Sequence, residues 1–230
     1  MLRKLPPWAW VGGGVLSFIA GSINAVGFLG FRHQPITHLT GTTTALGVAV
    51  AQGDLAEAWH WLAAILSFVA GAVISGFIVR HEVLRLGRRY GVVLVLESLL
   101  LLTAVPLLHG QSDLGLYLAA MACGLQNAMV STYSGAVFRT THVTGIFTDL
   151  GIYLGQRLRG EALDPLRLHL YLLVSGSFLA GVVAGSFGYA RWSERTLLGP
   201  AVLTGMAGLA YALYQHHRLV SARREAAQAD

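Results

Sequence analysis

Thr37-His38-Leu39-Thr40-Gly41-Thr42-Thr43-Thr44-Ala45-Leu46-Gly47 returns later in the chain as Thr141-His142-Val143-Thr144-Gly145-Ile146-Phe147-Thr148-Asp149-Leu150-Gly151. Seven of the eleven positions are identical, at an offset of 104 (141 − 37). Upstream, Gly21-Ser22-Ile23-Asn24-Ala25 matches Gly124-Leu125-Gln126-Asn127-Ala128. Downstream, Ser67-Phe68-Val69-Ala70-Gly71 matches Ser177-Phe178-Leu179-Ala180-Gly181. Three blocks recurring in one order at nearly one offset make an internal repeat. Its halves run over about residues 8–109 and 114–215 of a single domain, 1–230, with a tail from 216 to 230.

What surrounds the repeat is a membrane composition. Of the 230 residues 54% are hydrophobic and 12% charged, and the mean hydropathy is +0.59. Soluble domains carry about twice that share of charge. The 28 glycines lie inside apolar runs, which sets aside a disordered linker or collagen. The net charge of +5 comes from only 16 Lys and Arg, too few for a nucleic-acid surface. In a membrane protein such an excess records orientation instead. Cys123, the one cysteine, can form no intramolecular disulfide and reads as packing.

Eight apolar segments follow: Trp8–Gly30, His38–Gln52, Ala58–Val79, Gly91–His109, Leu114–Tyr133, His142–Gln156, Leu166–Tyr189 and Gly199–Tyr214. Six are long enough for a hydrocarbon core of about 30 Å. The two that contain the repeated motif have 15 residues each, about 22 Å of helix. The first segment is not expected to be a cleaved leader, because its Gly21-x-x-Asn24-Ala25 recurs in the second half. The basic residues decide how many segments cross. Eight crossings would put Arg3, Lys4, Arg157, Arg159, Arg167, Arg218, Arg223 and Arg224 on one side and the other eight of the 16 on the opposite side. If both short segments enter and leave on one side, only Arg32, Arg191 and Arg195 lie outside, so 13 lie inside (16 − 3). Positive charge gathers on the cytoplasmic side, so six spans with both termini cytoplasmic are expected. Three crossings per half invert the second half relative to the first, giving an all-α membrane fold with an inverted 3+3 repeat.

The repeated segments are the candidate site. A short helix that starts within a membrane needs protein or water around its free N–H groups. Thr37, Thr40, Thr42, Thr43 and Thr44, with Thr140, Thr141, Thr144 and Thr148, supply hydroxyls there. Gly41 and Gly145 would let a backbone or a solute come close. The helix N-termini carry the positive dipole end, which favours anionic or carbonyl-bearing groups. His38 and His142 suit either proton carriage or a helix start bonded to backbone, imidazole being the side chain that changes charge near neutral pH. Asn24, Gln126 and Asn127 fit interhelical hydrogen bonds or the lining of a path. Glu97 interrupts the apolar run Leu94–Leu100, and Asp149 stands where the first copy has Ala45. Acids that break the repeat suit proton coupling, although an Arg139–Asp149 pair is an alternative. Two His without a carboxylate or thiol at ligand spacing leave no metal site expected, and no cofactor. Ser67, Gly71 and Ser75, with Ser177, Gly181 and Gly185, have the spacing of close helix packing.

Phe18-Ile19-Ala20-Gly21 through Gly27, His38-Leu39-Thr40-Gly41, Leu96-Glu97-Ser98-Leu99, Gly124 through Ala128 and Arg139 through Gly151 resemble the YoaK family of bacterial inner-membrane proteins. The resemblance extends over about residues 12–215, and its second-half motif is the most specific part. Where similar proteins often carry Asn after the first Thr-Gly, this chain has Thr42. The resemblance implies a polytopic bacterial inner-membrane protein of about six spans, and brings no substrate.

The expected function is therefore read from the residues: a small-solute transporter or channel, proton-coupled through Glu97 or Asp149. The alternative is a membrane scaffold or sensor that moves nothing. No phosphate loop, zinc-protease helix or Gly-x-Ser-x-Gly elbow occurs, so no enzyme is expected. The expected partners are the lipid bilayer and a small solute, with no nucleic acid; assembly as a homo-oligomer stays open.

Overall fold

The computed structural model describes residues 7–30, 33, 36–79, 89–134, 140–162 and 164–229, and these form helices and turns. In chain order they are α1 (Pro7–Leu29), α2 (Leu39–Gln52), α3 (Leu55–Ile78), α4 (Arg89–His109), α5 (Asp113–Ser134), α6 (Val143–Leu158), α7 (Pro165–Trp192) and α8 (Leu198–Ala229). A 3-10 turn, Ser193–Leu197, joins the last two. Arg3, Lys4, Arg32, Arg80, Arg85, Arg88 and Arg139, used above for orientation and pairing, lie outside the described residues.

Five stretches are long and apolar enough to cross a membrane: Pro7–Leu29, Leu55–Ile78, Arg89–His109, Asp113–Thr132 and Pro165–Gln215. The last holds 51 residues and takes in α7, the 3-10 turn and much of α8, where the sequence reading expected two separate spans. The chain folds back within it. Gly14 faces Leu173 and Gly30 faces Tyr189, so α7 runs parallel to α1. α8 then returns to the level of Trp8, which shares a cavity wall with Tyr90 and Tyr211.

The short helices stay short for local reasons. α2 has 14 residues and α6 has 16, about 21 and 24 Å. α2 ends at Gly53, whose φ of 73° is a left-handed conformation that glycine adopts without a Cβ clash. Asp54 then caps α3, its carboxylate accepting the Glu57 N–H at 3.0 Å. The second half repeats the device. Gly160 has φ 84°, and Asp164 caps α7 by accepting the Leu166 N–H at 3.0 Å, with Pro165 at the first helical turn.

Packing follows glycine. Gly21 lies against the Phe178 carbonyl and Gly181 against the Phe18 carbonyl, which joins α1 to α7. Gly124 lies against the Phe68 carbonyl and Gly71 against the Met121 carbonyl, which joins α3 to α5. Under the offsets 103 and 110, each contact becomes another when the halves are exchanged. α4 and α8 pair with each other. A Cβ on Gly91 would lie 2.8 Å from the Gly208 carbonyl, and one on Gly208 would lie 2.8 Å from the Gly91 carbonyl. The Ser98 hydroxyl donates to the Ala201 carbonyl at 2.7 Å, so this pair is antiparallel. Eight alternating crossings would make α4 and α8 parallel, which these contacts rule out.

The core between these pairs holds Ile19 and Ile23 of α1, Leu101 and Ala104 of α4, and Ala122 and Cys123 of α5. Outside, Phe77 is 88% exposed, and Phe187, Leu203 and Met206 also face outward. Such a surface needs lipid, not water, as its neighbour. Gly41 and Gly145, expected to let a backbone or a solute come close, have no backbone against them and open space around them. Close backbone approach occurs at Gly21, Gly71, Gly124 and Gly181 because there helix meets helix along its length.

This contrast sets a stability test. Gly71→Ala or Gly181→Ala forces a Cβ into a carbonyl and is expected to cost about 1–3 kcal/mol, read as a lowered Tm in detergent. Gly41→Ala meets nothing and gains about 0.5–1 kcal/mol of helix propensity, so its Tm should hold or rise. Equal losses at Gly41 and Gly71 would contradict this packing.

Candidate functional site

Asn24 fixes the residue before the cap of α2. The Asn24 side-chain oxygen accepts both the Thr37 N–H at 3.1 Å and the Thr37 hydroxyl at 2.9 Å. Both residues are buried. α2 thereby starts level with Asn24 rather than beyond the end of α1. Thr42 N–H to His38 O, 3.2 Å, opens α2, and Ile146 N–H to His142 O, 3.1 Å, opens α6. Neither His38 nor His142 caps its helix with its side chain.

The two starts meet at one cavity of about 190 Å³. Thr37, His38, Leu39 and Thr40 line it from the first half, and Thr141, His142, Thr144 and Gly145 from the second, with Phe68 and Asn127 between. The His38 ring stands edge-on to Phe178, centroids 6.4 Å apart. Of the residues singled out in the sequence, Asn24, Gln126, Gly41, Thr44, Thr148, Glu97 and Asp149 are not on this wall. The Thr44 and Thr148 hydroxyls donate to the Thr40 and Thr144 carbonyls of their own helices, both at 3.0 Å.

The halves differ at the bond that sets the depth of α2. Asn127 and Thr141 correspond to Asn24 and Thr37, but the Asn127 side-chain oxygen is buried without a hydrogen-bond partner. Both residues line the cavity instead. Next to each sits a second orphan: the Gln126 side-chain nitrogen and the Thr140 hydroxyl are buried and unpartnered. Gly115 packs against Leu108 and Ala104, a register that sets Glu97 level with residues 122–126 of α5. Glu97 is 0% exposed, neither of its oxygens has a partner, and Cys123 is its neighbour. The repeat mates of Gln126 and Thr140 are Ile23 and Ile36, so this polar line exists in one half alone. Asp149 is exposed on α6, near the Tyr171 side chain of α7.

One cluster was not anticipated. His60 of α3, 3% exposed, meets the Tyr117 hydroxyl at 3.0 Å and the Asp113 carboxylate at 3.5 Å, both on α5. Trp59 and Trp61 flank it, so in the sequence it looks like an interfacial aromatic group; its mate, Leu170, offers no signal. A second cavity, about 220 Å³, has walls of Trp8, Leu16, Leu94, Met129 and other apolar side chains.

The unequal halves predict unequal mutants. Asn24→Ala strips a buried N–H and a hydroxyl of their acceptor, expected to cost about 1–3 kcal/mol. Asn127→Ala removes an oxygen that holds nothing and should lower the Tm in detergent by less. A larger loss at Asn127 would contradict the geometry.

No curated protein and no solved structure matches the chain. A family model does match, over residues 13–210, which takes in both copies of the motif and every residue lining the cavity between α2 and α6. The chain belongs to the family described as protein of unknown function, DUF1275.

Proposed function

We propose that this protein is a small-solute transporter or channel of a bacterial inner membrane, with the cavity between α2 and α6 as its central site. One observation carries the reading: both copies of Thr-His-x-Thr-Gly, 104 residues apart in the chain, line the same polar cavity. A membrane protein that only packs has no need of polar space at the centre of its fold. The resemblance to the YoaK family and the membership of DUF1275 carry no substrate, so the residues bear the proposal.

The architecture proposed with it is an inverted 3+3 repeat of six spans, α1, α3, α4, α5, α7 and α8, both termini cytoplasmic. The exchange of the glycine contacts between halves supports it, as does the antiparallel α4–α8 pair. α2 and α6 then enter from opposite faces and stop at the centre. The Asn–Thr bond made in one half and unmade in the other fits two states of such a repeat, each with one bond closed.

Proton coupling is assigned to Glu97. Its two oxygens are buried without partners, as are the Gln126 nitrogen and the Thr140 hydroxyl, each of which adjoins a cavity-lining residue in the chain, and an intramembrane ionisable residue is costly and marks a functional site. Asp149, exposed on α6 and off the cavity wall, fits this role less well.

Proteoliposomes test these assignments. A pH-sensitive dye inside them should report proton movement with solute, and Glu97→Gln should uncouple the two while the solute still moves. Coupling that persists in Glu97→Gln would remove Glu97 from the mechanism. Cysteines placed at Gln52 and Gln156 should label from opposite faces, Gln52 from outside; labelling from one face would overturn the inversion.

A further inference from the structure

We infer that the cavity binds a small monovalent anion, a carboxylate or an inorganic oxyanion, held between the N-termini of α2 and α6. This rests on the solute-path reading above and adds its substrate class. Each helix leaves its first amides, residues 39–41 and 143–145, without intrahelical partners, because the first bonds are Thr42 to His38 and Ile146 to His142. Neither N-terminus has a side-chain cap. Each carries about half a positive charge, and two of like sign converging on one space repel unless a negative charge of about one lies between them.

A second feature points to a ligand independently of the helix ends. Thr141 is 8% exposed and on the cavity wall, and its hydroxyl, unlike that of Thr37, makes no hydrogen bond among the described residues. The half-buried Asn127, also on the cavity wall, has its side-chain oxygen buried and unpartnered. An Asn amide can turn either its oxygen or its NH2 to a ligand, and a hydroxyl donates to an acceptor. Among the described residues no carboxylate lines the cavity, so a cation would find no counter-charge there. The volume of about 190 Å³ admits nitrate, formate or acetate.

The full-length protein in lipid nanodiscs is titrated with sodium nitrate and sodium formate, reading Tm and heat. Saturable binding is expected, unchanged when sodium is replaced by N-methylglucamine. Thr141→Val should weaken it about tenfold, the effect of losing one hydrogen bond to a charged group. Thr141→Ser keeps the hydroxyl and should bind as the parent does, which separates ligand contact from misfolding. Saturation that follows the cation, no saturable effect of either anion, or equal binding by Thr141→Val would each overturn the inference. Release of urea, nitrate and formate from proteoliposomes separates it from the transport reading. Urea moving without anion binding sinks the anion and leaves transport, whereas anion binding with no solute moving sinks transport and leaves the anion.

Discussion

The constraint on which the rest depends is the backbone amide that has no water. A helix beginning at the surface of a membrane protein can leave its first N–H groups to solvent; one beginning in the interior cannot. α2 begins within the length of α1, not beyond its end, because a buried Asn24 holds the buried Thr37 by two hydrogen bonds. A cavity at that point is what such a start requires, and the second copy of the segment opens onto the same cavity.

The helix pairs make the interior start possible. Glycine at Gly21, Gly71, Gly124 and Gly181 brings α1 onto α7 and α3 onto α5 with backbone against backbone. Each contact joins one half to the other, and the cavity, lined from both, belongs to neither half alone. Where lipid is the solvent, apolar surface gives no net drive between helices, and close van der Waals packing of this kind takes its place. The antiparallel α4–α8 pair closes the same arrangement on another side.

Departures from the repeat gather around the site. Ile23 and Ile36 in one half face Gln126 and Thr140 in the other, and Thr204 faces Glu97. Duplicated packing needs duplicated side chains, which is why the glycines are kept in both copies. Polar groups in a dry core work against stability, and here they adjoin residues of the cavity wall. His60 with Asp113 and Tyr117 is also unduplicated, but it ties two helix starts together away from that wall.

The sequence by itself determined the membrane class, the repeat, the two short segments and the number of halves, because apolar length, charge placement and self-similarity are properties of the chain. It also singled out the Thr-His-x-Thr-Gly units and the buried acid at Glu97. It left open whether a backbone or a solute comes close to Gly41 and Gly145, since a glycine's neighbour comes from another helix and cannot be read from spacing. Only the tertiary structure decided that residues 37–40 and 141–145 share one cavity, and that Glu97 and Asp149 stand apart from it. Only there, too, does the Asn–Thr bond differ between the halves. The physical reason is the same each time. Two chain segments of like sequence acquire different partners when the surfaces packed against them differ, and those surfaces exist only after folding.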